Sequence, residues 1–417
     1  MTKKILSNKL YLSVLGLDLL SNFGDSVYYL ALMNYVLLLP EPKTAIAIVT
    51  MSETLPILSA FIMGYLADKQ TRKVPLIITT QFFRFAIYLV VGLVMGFSPN
   101  LWVVVAVSLL NFLSDMSGQF EGGLYQPISL RVLAPEEREQ GMAFSSSVFQ
   151  TMAILFKFSG AALVAIMTYQ NLAYLNAVTF LVCAVGMLFL SKSLNALLLK
   201  DPITVVDRPS EESFVADLRS SLKLALTEMN RIPAVRFAML VVPLFNAVFA
   251  SIETFVLLVM TEDKTFGFGS PALTLSVIGV VMMVGGLLGN IAVMSGRMTI
   301  DLIRFLRYGT IVLLPIFLTL YWHQTYLFLA VLLLTNFGIG IVNPKMGALV
   351  KNSLPEDKMG MIFSGMATYF QLGVILMKVL LAGLMVIFPA QHLMLVMLVL
   401  SVGYIIFSFR LNTKELS

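Results

Sequence analysis

The chain has 417 residues, 58% hydrophobic and only 12% charged, with a formal net charge of +5 and a mean hydropathy of +0.89. Soluble domains carry roughly a quarter charged residues, so a water-facing globule is excluded and an all-α polytopic membrane protein is expected. The positive balance calls for no nucleic acid, because Lys and Arg gather on one side of the bilayer in such chains. Cys183 is the one cysteine, so no disulfide or thiolate metal site can form within the chain.

Windows of about 20 apolar residues predict twelve spans. Span 1, over 11–38, carries Asp18, Asn22, Asp25 and Tyr29 at spacings of three or four, with Ser21 and Tyr28 beside them. That spacing makes a polar stripe on one helix face, with Asp25 close to mid-depth. Span 2, over 44–66, holds Glu53 and Leu55–Pro56 and ends in "GYLADKQTRK", where Gly64 and Asp68 precede Lys69, Arg72 and Lys73. Span 3, over 74–97, contains Arg84. Span 4, over 101–126, contains Asn111, Asp115 and Glu121, the last near the interface and read as wet. Span 5, over 141–168, contains Lys157, and span 6 covers 171–191.

The segment 192–232 is polar, contains Pro202 and Pro209, and splits the chain six plus six. The expected organisation is a bundle over 1–191, a linker over 192–232 and a second bundle over 233–417. Within the linker, Phe214, Val215, Leu218, Leu222 and Leu226 share a helical face after a serine with nearby acids. This predicts an amphipathic helix lying along the membrane face. Spans 7 to 12 follow at 233–260, 271–294, 303–321, 325–349, 360–387 and 391–410, with Glu253 in span 7 and Lys378 in span 11. His323 and His392 read as solvated loop residues. Lys43 and Lys264 fall at one end of the spans, Arg84, Lys157 and Lys378 within them, and the other Lys and Arg at the opposite end. By the positive-inside rule both termini are cytoplasmic, and a multi-pass plasma-membrane protein is expected.

The second half echoes the first. "FQTMAILFK" over 149–157 matches "FQLGVILMK" over 370–378 without a gap, ending on the twin lysines Lys157 and Lys378. "PEEREQGMAFS" pairs with "PEDKMGMIFS", and "GYLADKQTR" with "GNIAVMSGR", where Val293 stands in the place of Asp68. Each match is offset by six spans, which suggests two similarly threaded bundles with a site at their interface.

Ionisable groups inside a bilayer cost on the order of 3 kcal/mol each and are functional candidates by default. Asp25 is read as a substrate or proton site, or as a protonated packing partner. Glu53 and Asp115 are read as further substrate or proton groups, with Glu253 in the outer half of span 7. Arg84 forms an ion pair. Lys157 and Lys378 either neutralise Asp25 or Glu253 or attract an anionic substrate group. Gly64 allows close backbone approach where two bundles meet. Asp68 lies where a facing helix could begin, and a carboxylate stabilises a helix N-terminus by roughly 0.3–1 kcal/mol. Lys69, Arg72 and Lys73 read as basic anchors.

The loop motif G-x-L-A-D-x-x-x-R-K on twelve spans with a long central loop resembles the major facilitator superfamily. "SNFGDSVYYLAL", the "LP" at Leu55–Pro56 and the "PEE" after span 4 resemble its macrolide-efflux and enterobactin-exporter branch. The resemblance implies that Asp68 latches onto the start of span 11 near Met359 or Gly360, with Arg72 and Lys73 holding that acid or lipid headgroups. It also implies that span 1 lines a central cavity and that span 3 is peripheral. Two departures stand out: span 5 reads "KFSGAALVA" with no proline, and span 4 offers Asn111 where many drug–proton antiporters place an arginine.

No Walker sequence, H-E-x-x-H, G-x-S-x-G or His/Cys cluster is present, so neither enzyme, metal site nor cofactor is expected. The expected function is a monomeric, proton-coupled exporter of apolar or cationic small-molecule substrates. The alternatives are export of an anionic metabolite such as a siderophore, using Lys157 and Lys378, and a non-transporting sensor on the same fold.

Overall fold

The computed structural model describes residues 2–40, 42–203, 214–388 and 390–411. After a short helix over Thr2–Ser7, the long helices are α1 Lys9–Val36, α2 Pro42–Asp68, α3 Lys73–Val94, α4 Leu101–Val132, α5 Arg138–Ile166 and α6 Tyr169–Lys200. The second set is α7 Pro233–Met260, α8 Pro271–Met294, α9 Leu302–Tyr321, α10 Thr325–Ser353, α11 Met359–Ile387 and α12 Ala390–Arg410. Eleven of these are long and apolar enough to cross a membrane. The twelfth rod is α1, which is 28 residues long but diluted by the stripe Asp18, Ser21, Asn22 and Asp25.

Several starts follow from side-chain caps that satisfy the first free amides. Asn8 accepts from Tyr11 N at 3.0 Å, Asn100 from Val103 N at 3.0 Å and Asp301 from Arg304 N at 3.1 Å. Thr168 and Ser270 serve α6 and α8 in the same way. The helices run further than apolar windows suggest, because their polar ends project beyond the hydrocarbon; α4 continues to Val132 and α6 to Lys200, past residue 191. Proline interrupts α2 at Pro56, α4 at Pro127 and α10 at Pro344. In α7 the helix stops at Phe249 and resumes at Ile252.

Two six-helix bundles result. In the first, α1 packs on α5 and α6, α2 on α4, and α3 on α4 and α6; in the second, α7 packs on α11, α8 on α10, and α9 on α12. Each has its own aromatic core. Tyr28, Tyr88 and Phe180 centre the first, and Phe237, Phe255, Phe317 and Phe328 the second. The bundles meet along α2–α11 and α5–α8, with α4 also touching α11 and α10 touching α5. These contacts exchange in pairs under the internal repeat. Both α5 and α11 are 29 residues long and each follows a one-turn 3-10 helix built on "PEE" or "EDK".

The linker carries the helix Phe214–Asn230. It docks on α2, α7 and α11, burying Ala225 and Met229 against Tyr65, Val235 and Met359. Val215, Leu222 and Leu226 are left exposed. A polar tether holds the docked helix: Tyr65 Oη donates to Asp217 at 2.6 Å, and Lys69 pairs with the same carboxylate, which raises the lysine's affinity for its proton. The serine and acids expected to cap this helix, and Pro209, lie outside the described residues.

Candidate functional site

One end of the molecule carries the basic loops, and there the bundles are zipped together. Asp68, at the last turn of α2, accepts from Gly360 N and Met361 N, both at 2.8 Å. It therefore caps the first turn of α11 from the opposite bundle, with its carboxylate at the positive end of that helix dipole. The crossing beneath it is built from three glycines. A Cβ on Gly64 would lie 2.3 Å from Gly360 O, and one on Gly123 would lie 3.0 Å from Gly64 Cα. At Val293, the place equivalent to Asp68, the side chain is buried against Ala143 and Ile341, so the latch is one-sided.

The neighbouring cations do other work than expected. Lys73 is buried and donates to the carbonyls of Ala67 at 2.8 Å and Asp68 at 3.4 Å, closing the C-terminus of α2 rather than gripping the Asp68 carboxylate. Arg72 is exposed and makes no side-chain bond among the described residues. Further contacts between bundles flank the latch. Arg138 donates to Lys351 O at 3.1 Å and Asn352 Oδ1 at 2.6 Å, Arg131 pairs with Glu356, and Lys345 meets Glu139 at 2.6 Å. Thr368 Oγ1 donates to Ile57 O at 2.8 Å, the contact deepest in α2.

Deeper in the first bundle lies a cluster of charges. Arg84 of α3 is buried with its guanidinium 4.0 Å from the centre of the Phe180 ring. It pairs with Asp25 of α1 at 2.9 Å, approaches Asp115 of α4 at 3.9 Å and donates to Ser114 at 3.0 Å. Asn176 of α6 donates to Asp25 at 3.2 Å. It can do so because Gly24 brings α1 close, since a Cβ there would sit 2.1 Å from Asn176 Oδ1. Asn111 bridges the remaining acids, donating to Glu53 at 2.9 Å and Asp115 at 3.1 Å while accepting from Tyr88 at 2.6 Å. Two carboxylates thus share one cation and a third is joined to them through Asn111, although Asp25 and Asp115 keep 35% and 21% of their side-chain surface open. Glu121 is not wet: it accepts from Thr80 at 2.9 Å and from Gln81. Asn22 is turned back onto Asp18 at 3.0 Å and stays outside the cluster.

Chain order does not bring the other candidates into this cluster. Lys157, Lys378 and Glu253 are exposed and make no ion pair or hydrogen bond among the described residues. The lysines therefore do not neutralise Asp25, whose partner is Arg84. His323 is not free in its loop but lies 3.0 Å from Asp263. A cavity of about 940 Å³ lies between the bundles and within the second. None of the residues singled out in the sequence lines it. Its walls include Ile57 and Ala60 of α2, Gln126 of α4, Asn246 of α7, Asn343 of α10 and Gln371 of α11. Neutral amides stand out less in an apolar sequence than charges do. The seven-residue spacing of Gln119 and Gln126 in span 4 is the signal that could have found them.

The Major Facilitator Superfamily profile matches residues 5–377. The chain belongs to the major facilitator superfamily. Solved structures of the superfamily architecture extend over nearly the whole chain. The human organic anion transporter MFSD10 (TETRAN) is 17% identical, with a TM-score of 0.63 over 98% of this chain and 99% of its own. A bacterial homologue of the iron transporter ferroportin, in an outward-facing state, is 16% identical with a TM-score of 0.66 over 96% and 99%. The major facilitator transporter FucP, in the outward conformation, is 13% identical with a TM-score of 0.61 over 98% of each chain. At these identities the likeness is one of fold. No curated protein matches at comparable stringency.

Proposed function

We propose that this superfamily member is a secondary active exporter that uses protons to drive small apolar or amphiphilic molecules out across the plasma membrane, in line with its resemblance to the macrolide-efflux and enterobactin-exporter branch. The observation that carries the reading is the surplus of acid in the first bundle: Asp25 and Asp115 beside Arg84, Glu53 joined through Asn111, and no second cation paired with them among the described residues. Three carboxylates and one guanidinium leave net negative charge in a low-dielectric interior, and a bound proton is the cheapest way to offset it. With the basic end on the cytoplasmic side, the Asp68 latch closes the inner face and the cluster is reached from outside. A proton arriving there weakens the hold of its acid on Arg84 or Asn111, and with it the join between α1, α3 and α4. Each proton that then moves inward is driven by about 2.3 kcal/mol per 100 mV of membrane potential.

A second reading, export of an anionic metabolite, is supported by the unpaired cations. Lys378 stands two helical turns beyond the cavity-lining Gln371, and Lys157 two turns beyond Gln150, whose Oε1 lies 2.7 Å from the Cβ position of Gly286 on α8. Both lysines therefore lie on faces directed at the other bundle or the cavity. Transport of a compound panel by proteoliposomes with and without a pH gradient tests both. The proton-coupled reading expects gradient-driven transport that Asp25→Asn abolishes, and normal transport of every compound by that variant contradicts it. Lys157→Gln with Lys378→Gln leaves export of uncharged and cationic compounds intact under the first reading and abolishes anion export under the second.

A further inference from the structure

The cavity of about 940 Å³ is wide enough for a drug-sized molecule, yet among the described residues no Asp, Glu, Lys, Arg or His lines it. Five carboxamides do: Gln119 and Gln126 from α4, Asn246 from α7, Asn343 from α10 and Gln371 from α11. None of their side chains hydrogen-bonds to another described residue, and the buried Oε1 of Gln126 accepts from no described residue. Each carboxamide offers two donors and an acceptor, and buried polar groups of native proteins are normally satisfied. Five carboxamides without a partner among the described residues, from the buried Oε1 of Gln126 to the exposed Asn343 and Gln371, converge from four helices and make a surface able to exchange hydrogen bonds with a bound molecule. Between them stand the apolar walls Phe245, Phe363, Phe370 and Met366, and aromatic faces suit the apolar sides of rings.

From this geometry we propose that the site takes an uncharged amphiphile carrying several hydroxyl or ether groups on a ring, with glycosides as the matching chemistry. The proposal rests on the exporter reading for its physiological direction and supplies its substrate class. An ionic ligand fits badly, because it would exchange water for neutral amides with no counter-charge. Lys378 lies two turns beyond Gln371, about 10 Å along α11, and acts at the mouth rather than on the bound molecule. The substrate site accordingly sits mainly in the second bundle, while the acid cluster belongs wholly to the first.

The test is equilibrium binding of a radiolabelled aryl β-glucoside to the full chain in proteoliposomes, with no ion gradient. Competitors are the aryl trimethylammonium and aryl carboxylate built on the same ring. On the wild type, the unlabelled glucoside should displace the label at least about tenfold more effectively than either ion. Gln126→Leu with Asn343→Leu should weaken binding about tenfold, the loss expected for two hydrogen bonds. Equal competition by either ion, no saturable glucoside binding by the wild type, or unchanged binding in a variant that melts like the wild type overturns the proposal. Failure of the exporter reading looks different: the glucoside binds as described but shows no gradient-driven transport.

Discussion

In the first bundle, Arg84 is buried beside Asp25 and Asp115, with Glu53 joined through Asn111, whereas the cavity in the second bundle is bounded by Asn246, Asn343 and Gln371. The two halves share the 29-residue α5 and α11, the 3-10 turns before them and much of their helix pairing, so the contrast is one of side chains on a duplicated frame. Charges in a bilayer must find one another before the helices can pack, which makes the first cluster part of the fold as well as of the chemistry. Neutral amides carry a smaller desolvation penalty, which leaves them available to a ligand. On the proposed reading, the duplication allows one copy to specialise in holding charge and the other in holding cargo.

The sharpest way to break this comparison is to remove the cation. Arg84→Ala leaves Asp25 and Asp115 without their cation and should cost about 3–5 kcal/mol, read as a large drop in melting temperature; Asn343→Leu in the second bundle should leave melting nearly unchanged. A similar loss for both would mean that the halves do not differ as described. Next comes the latch. Asp68→Asn removes the charge from two backbone hydrogen bonds and should weaken closure of the basic end by about 1.5–3 kcal/mol, seen as faster labelling of cysteines placed along the α2–α11 crossing. Gly64→Ala, whose Cβ meets Gly360 O, should open the same crossing at about 1–3 kcal/mol. Smaller again, Lys73→Ala frees two carbonyls of α2 for about 1 kcal/mol, while Arg72→Gln should stay within about 0.5 kcal/mol. A large effect at Arg72 in melting or labelling would reverse the assignment of the two cations.

Much of the frame was legible before any coordinates. Apolar windows located twelve rods, and the spacing of Asp18, Asn22 and Asp25 marked the stripe on α1. The twin motifs ending at Lys157 and Lys378 announced the duplication. What periodicity could not supply was partnership. Nothing in the sequence pairs Arg84 with Asp25, 59 positions away, because that contact depends on α3 packing between α4 and α6. The tether of Asp217 to Tyr65 and Lys69, which docks the linker helix on α2, was hidden for the same reason. The cavity was least visible, since its glutamines and asparagines are scattered over four helices and cost too little in lipid to draw notice.

The central claim is that the acid cluster carries the proton and the amide cavity carries the cargo. Its most direct test is the pH change when an aryl β-glucoside is added to purified protein in weakly buffered solution. The account predicts proton release by the wild type, and binding without release by Asp25→Asn with Glu53→Gln. Undiminished release from that double variant would contradict it.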